Sequence, residues 1–214
     1  MNVLIIYAHP NPSSFNAALK DAAVDALKAN GHSVDVSDLY AMKFDPVFKA
    51  EDYTQRVDKD SFHFYREALH AHETGSYASD ILGEMKKVDR ADLIIFQFPI
   101  WFSSWPAIIK GWIDRVFQAG YAFRYDAMYD TGLLKGKKVL LSITTGAPEV
   151  MYSNQGNAGD IYEMLRILSH VSFEVVGLEV LPPHLIFDVA SMDRERGIAE
   201  IERYKDFLIA MVAT

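Results

Sequence analysis

The chain opens on an unbroken apolar run, Val3-Leu4-Ile5-Ile6-Tyr7-Ala8, rather than an alternating one. A strand covered by helices on both faces reads this way. After it, Phe15, Leu19, Ala22, Ala23, Ala26 and Leu27 recur at three- and four-residue intervals. That spacing predicts a helix, with Ser13 or Ser14 placed to cap it and Asn30-Gly31 placed to end it. Ser33 to Ser37 alternates and predicts a strand nearer the sheet edge. From Tyr40 to Ser76 the pattern weakens into scattered aromatics and histidines, which predicts an excursion with one short helix. Asp80 to Val88 then predicts a helix and Leu93 to Pro99 a second apolar strand. Pro106 opens a helix carrying Ile109, Trp112, Ile113 and Val116 on one side. Val139 to Thr145 predicts a strand ending at Gly146. A helical stretch over Ile161 to Ser169, a strand from Phe173 to Leu181 and a final helix from Asp193 to Val212 follow.

The order βαβαβαβαβα implies an α/β fold with a parallel sheet, because each return to the sheet passes through a helix. With 214 residues, half of them hydrophobic, and no internal repeat or low-complexity linker, residues 1–214 are expected to form a single domain. In open sheets of this kind ligands bind beyond the carboxyl ends of the strands, where strand order reverses. Residues 9–16, 99–105 and 144–152 occupy such ends.

Composition narrows the chemistry. A net charge of −8 leaves no basic footprint, which argues against nucleic acid as a partner. The absence of cysteine excludes thiol catalysis, disulfides and cysteine-held metal or iron–sulfur centres. The first apolar run is too short for a signal peptide, and no stretch approaches the ~20 apolar residues that span a bilayer. A cytoplasmic protein without membrane insertion is expected. His63, His70 and His72 lack carboxylates at ligand spacing, and a helix would turn His70 and His72 to different sides, so no metal is expected. His63 reads as an exposed loop histidine. Asp193 to Arg203 is a charge run of the kind that forms a solvated helix face.

The three strand-end loops carry the remaining chemistry. The first, Tyr7-Ala8-His9-Pro10-Asn11-Pro12-Ser13-Ser14-Phe15-Asn16, offers hydroxyls and backbone N–H groups at a helix start, where the dipole favours an anion such as a phosphate. Alone, it reads equally well as a proline-rich turn with a serine cap. It lacks the G-x-x-x-x-G-K-S/T pattern, and the chain has no G-x-G-x-x-G, so neither a P-loop nor a Rossmann dinucleotide site is supported. The second, Pro99-Ile100-Trp101-Phe102-Ser103-Ser104-Trp105, places three large aromatics at a strand end, which suits a planar ring stack or, alternatively, a sealed sheet edge. The third, Thr144-Thr145-Gly146-Ala147, brings hydroxyls and close backbone beside the same crevice, where a plain tight turn is the alternative. Together a phosphate cradle, an aromatic wall and a polar turn describe a site for a flavin nucleotide.

These residues also carry a family resemblance. His9 with Ser14-Phe15-Asn16, Asp38-Leu39-Tyr40-Ala41-Met42, Phe96-Gln97-Phe98-Pro99, Pro106-Ala107-Ile108-Ile109-Lys110-Gly111-Trp112, Ala127-Met128-Tyr129-Asp130 and Ser142-Ile143-Thr144-Thr145-Gly146 keep motif order along nearly the whole chain. In this the sequence resembles the NAD(P)H:quinone oxidoreductases, or DT-diaphorases. The resemblance implies a flavodoxin-like three-layer sandwich with a central parallel five-stranded sheet, and a homodimer with its active site at the interface. It implies FAD, with FMN as the other possibility, and a ping-pong reaction in which NADH or NADPH reduces the flavin and a quinone or related aromatic acceptor reoxidises it. By position, His9, Ser14, Phe15 and Asn16 would hold the phosphates and ribityl chain, and Pro99, Ile100, Trp101 and Phe102 would line the isoalloxazine. Thr144, Thr145, Gly146 and Ala147 would meet its polar edge. Tyr152 matches a tyrosine that acts during hydride transfer. Arg196 matches an arginine near the adenine end, and Phe123 and Tyr125 match a pair of tyrosines facing the partner subunit's substrate.

Two positions depart from the family pattern. Ala158 stands where a histidine would share a proton relay with Tyr152, and Ser103 stands where a substrate-facing aromatic is common. Two rival functions fit the same flavin domain: a flavodoxin-type electron carrier and a regulatory subunit of a membrane transporter. The excursion and the aromatic loop favour a pocket for a small substrate, and so an enzyme.

Overall fold

A computed structural model describes residues 1–213. Its strands and helices alternate as β1 (Asn2–Tyr7), α1 (Phe15–Ala29), β2 (Ser33–Asp38), α2 (Phe64–Thr74), α3 (Ser79–Arg90), β3 (Leu93–Pro99), α4 (Ala107–Val116), β4 (Lys138–Thr144), α5 (Ile161–Ser172), β5 (Glu179–Val180), β6 (His184–Ile186) and α6 (Arg194–Val212). The sheet is parallel in the order β2-β1-β3-β4-β5, and β6 pairs with β4 further along the same edge. This is the flavodoxin-like three-layer arrangement, with five strand positions and the last one built in two pieces.

The apolar runs owe their continuity to the layers. Along β1, Val3, Ile5 and Tyr7 pack with Leu19, Leu27, Tyr204 and Leu208 of α1 and α6. Leu4 and Ile6 face the other way, into a core with Val88, Trp112, Ile113 and Leu165 of α3, α4 and α5. Strand order reverses between β1 and β3, the neighbours on either side of the switch point, so the loops after both open onto one crevice.

Two expectations change in detail. The stretch from Phe173 to Leu181 is not a continuous strand. Phe173 is buried at the end of α5, Glu174–Val176 form a 3-10 turn, and Gly177 takes a left-handed φ of +91° to reverse the chain. Pairing starts only at Glu179, and Pro182-Pro183, lacking N–H groups, separates β5 from β6. The excursion holds a full three-turn helix, α2, whose buried face is Glu67, Ala68 and Ala71. Small and charged residues on the inward face explain its faint hydrophobic signal.

Charge anchors this excursion to the core. Arg115 of α4 and Asp52 are both buried, and Arg115 Nη2 donates to Asp52 Oδ1 at 2.8 Å. Arg115 Nη1 adds bonds to Asp80 Oδ2 at 2.7 Å and to the Asp45 carbonyl at 2.9 Å. Gly111 lets α4 approach closely, because a Cβ there would lie 2.2 Å from the Pro46 carbonyl oxygen.

Candidate active site

Loop by loop, local bonding sets the shape of the crevice. After β1, His9 Nδ1 lies 3.1 Å from Asn11 N and 3.2 Å from the Asn11 carbonyl oxygen, which fixes the ring over the turn. Ser14 is the N-cap of α1 and accepts from Ala17 N at 3.1 Å, and no acidic residue occupies the first turn. The N–H groups of Phe15 and Asn16 have no intrahelical partner at such a start and are available to an anion. Below them Tyr7 Oη lies 3.4 Å from Ser14 Oγ. Burial raises the Tyr7 phenol above its ordinary value and the Ser14 hydroxyl opposes this, so Tyr7 stays neutral.

After β3 the chain makes a two-residue hairpin, with Trp101 N bonded to Ser104 O at 3.3 Å and Ser104 N to Trp101 O at 3.0 Å. Phe102 and Ser103 sit at its tip with φ of +48° and +57°, a conformation that normally takes Asn-Gly. The strain projects Phe102 fully into solvent at the mouth of the crevice, while Trp101 approaches His9 with ring centroids 6.2 Å apart. Trp105 turns inward, packing on Phe98 and Phe173, and belongs to the core. Replacing Ser103 by glycine is expected to stabilise the protein by about 1 kcal/mol, a rise of about 3 °C in melting midpoint. Thermal melts check this, and a fall would show that the turn is unstrained.

After β4, Thr145 spends its hydroxyl on the Ala147 carbonyl at 2.6 Å and its N–H on the Ile186 carbonyl at 2.9 Å. The turn so fixed carries Gly146 and Ala147 to the rim, and a 3-10 turn over Glu149–Tyr152 brings Tyr152 beside Phe187. Gly156 closes tightly under that turn, where a Cβ would meet the Met151 carbonyl at 2.3 Å, and Ala158 N donates to the same carbonyl at 2.9 Å.

The loops enclose a cavity of about 520 Å³ lined by His9, Ser14, Phe15, Asn16, Pro99, Ile100, Trp101, Phe102, Thr144, Gly146, Ala147, Tyr152 and Val189. Of the residues expected at the cofactor, only Thr145 and Arg196 do not line it. Thr145 is buried beneath the turn, and Arg196 braces the rim by donating to the Phe187 carbonyl at 2.8 Å. Val189 is an addition with no sequence signal of its own; Asp188 before it adopts a φ of +57° that swings the chain past the opening. A smaller groove of about 280 Å³ continues from the cavity, sharing Phe15 and Val189 and running along Met192, Gly197, Ile198 and Ile201 of the α6 region. His63 is exposed ahead of α2 and lines neither space.

Phe123 and Tyr125 lie elsewhere in the chain. Phe123 borders an apolar groove with Phe64, Ile113, Phe117 and Val175, and Tyr125 is exposed, stacked on Tyr65 at 4.1 Å. A larger cleft of about 760 Å³, between Tyr129, His170, Glu174 and Glu179, sits at the opposite end of β4 and gathers none of the loop chemistry. Among the described residues no three His, Asp or Glu side chains come together as a metal site, and no helix is long and apolar enough to cross a membrane.

Residues 1–208 match a family characterised by a flavodoxin-like fold. A ribosyldihydronicotinamide dehydrogenase (quinone) from Pongo abelii is 46% identical over 199 residues, covering 92% of this chain and 86% of its own. The chain belongs to the NAD(P)H:quinone oxidoreductase family. NAD(P)H dehydrogenase (quinone) 1 of Cavia porcellus, another member, is 46% identical over 187 residues, covering 87% of this chain and 68% of its own. A solved structure from Klebsiella pneumoniae superposes with a TM-score of 0.92 at 35% identity, over 99% of this chain and 85% of its own. Membership makes Ala158 the notable position. It sits half-buried behind the Tyr152 turn, and its methyl group can neither give nor take a proton.

Proposed function

We propose that this protein reduces quinones by two electrons at the expense of NAD(P)H, in ping-pong fashion, through a flavin held at the carboxyl ends of β1, β3 and β4. The observation that carries this reading is the meeting, in one cavity, of a helix start open to phosphate, an aromatic wall and a turn rich in hydrogen-bond donors. The residues fit the group. A volume of about 520 Å³ falls within the range of small-molecule sites, and the lining combines apolar planes with few, placed polar atoms. When bound, the flavin supplies the hydride chemistry that links NAD(P)H to the quinone.

His9, Ser14, Phe15 and Asn16 hold the phosphate and ribityl groups. Pro99, Ile100, Trp101 and Phe102 keep water from the ring, and Thr144, Gly146 and Ala147 offer donors to its polar edge, with Thr145 fixing their turn. Tyr152 Oη holds a proton at that edge. FAD is favoured over FMN by the adjoining groove, which provides an apolar seat for an adenosine beyond Phe15 and Val189, with Arg196 bracing its wall. Phe123 and Tyr125 serve the site of a second subunit in a homodimer, a role supported by the exposure of Tyr125 and the open apolar groove beside Phe123. Residues 1–214 act as one flavin-binding domain.

Purified protein is expected to carry flavin absorbance or to gain it on adding FAD. In stopped flow, NADH or NADPH should bleach that absorbance rapidly and a quinone should restore it rapidly. Protein that takes up neither FAD nor FMN, or reduced protein that a quinone leaves reduced, would falsify the proposal.

A further inference from the structure

Beneath the cavity floor runs a row of polar side chains without a role so far. Gln97, Ser142 and His184 are successive cross-strand partners on β3, β4 and β6. They share the sheet face covered by α1 and α6, where Ile95 and Leu140, two residues earlier on their strands, pack with Tyr204 and Leu208. Polar groups in such a layer are costly unless paired. Yet among the described residues Gln97 Oε1, Ser142 Oγ, His184 Nε2 and Tyr204 Oη are buried with no direct hydrogen-bond partner. Tyr204 stacks on His184 at 4.7 Å between ring centroids. Burial raises the Tyr204 phenol, and the Ser142 hydroxyl pulls it part of the way back. At the cavity end Gln97 Nε2 donates to Asn16 Oδ1 at 2.8 Å, and Asn16 Nδ2 donates to Thr144 Oγ1 at 2.7 Å. Tyr7, the partner of Gln97 on β1, faces Ser14 with its own hydroxyl.

We propose that these side chains form one directed hydrogen-bond chain, completed by ordered internal water among Gln97, Ser142, Tyr204 and His184, that fixes Thr144 as a hydrogen-bond donor to the cofactor. Buried polar atoms without a direct partner are the groups that ordered internal water satisfies. Direction follows from the donors. Gln97 has committed an N–H to Asn16, so its carbonyl is left to accept from the water. Asn16 accepts at Oδ1 and donates to Thr144. Thr144 Oγ1 already accepts, so its own proton is left for an acceptor in the cavity. Gln97 and Tyr204 thereby act as positioning residues, out of contact with the ligand. The inference rests on the cavity being a flavin site.

The test is a titration of apoprotein with FAD, followed by flavin fluorescence, for wild type, Thr144→Val, Thr144→Ser, Tyr204→Phe and the double variant Thr144→Val/Tyr204→Phe. Thr144→Val is expected to weaken binding about tenfold and Tyr204→Phe about threefold. Thr144→Ser, which keeps the hydroxyl, should bind like wild type. The double variant should bind like Thr144→Val alone, because with the last donor gone the chain behind it has nothing to orient. Additive losses in the double variant, or unchanged binding by Tyr204→Phe, overturn the inference. Wild-type protein that binds no flavin overturns the cavity reading and this inference together, an outcome distinct from a failed cycle in protein that binds.

Discussion

Asp52→Ala is expected to destabilise the protein by about 3 kcal/mol and to lower its melting midpoint by about 10 °C. The effect comes from what remains, not from the bond lost. Arg115 is 2% exposed, and Asp52 accepts from both its Nε and its Nη2. Burial opposes the charge on Arg115, but its hydrogen bonds to the Asp52 and Asp80 carboxylates outweigh it and hold the guanidinium protonated. Without Asp52, a buried cation keeps the half-exposed Asp80, one carbonyl and the face of the Phe44 ring. The added change Arg115→Met should recover part of the loss, since removing both charges also removes the cost of burying them. Calorimetry on the two variants checks this. A double variant less stable than Asp52→Ala would show that Arg115 contributes chiefly by packing.

Tyr152→Phe is expected to slow reduction of the bound flavin by NAD(P)H about 100-fold, the usual effect of removing one donor from a water-excluded reacting centre. The ring and its packing on Phe187 are retained, so flavin binding and melting behaviour should hardly change. The reason for so large an effect lies at Ala158. Its backbone N–H is committed to Met151, and its side chain offers no proton to take over from the phenol. A single-turnover measurement reads the step directly. A change of less than twofold would remove Tyr152 from the chemistry.

Most of the fold was legible because its runs are apolar for a physical reason: β1, β3 and β4 are each covered on both faces, and that burial is written as unbroken hydrophobicity. The cavity lining was legible for a related reason, since strand ends in a parallel sheet converge and the polar and aromatic residues found there had no place in the core. What escaped notice depends on contacts distant in sequence. Helix α2 buries Ala68, Ala71 and Glu67, a face that periodicity hardly marks. The break in the last strand turns on Gly177, whose approach to Gly132 leaves no room for a Cβ on either side. Thr145 carries the same residue type as Thr144, yet one hydroxyl is spent on its own turn and the other accepts from Asn16 in the cavity wall. The Gln97–Asn16–Thr144 chain joins residues up to 128 positions apart and has no local signature.

The divided strand has a consequence for behaviour in crowded solution. A sheet edge with a long row of free N–H and C=O groups is a template for recruiting another chain. Beyond β4 the edge consists of a two-residue and a three-residue piece parted by Pro182 and Pro183, which supply no N–H. At the opposite edge, β2 carries Asp35 and Asp38, with Asp35 tied to Arg90 at 2.9 Å. Short, divided pieces at one border and aspartates at the other are devices that blunt a sheet edge against strand-to-strand aggregation.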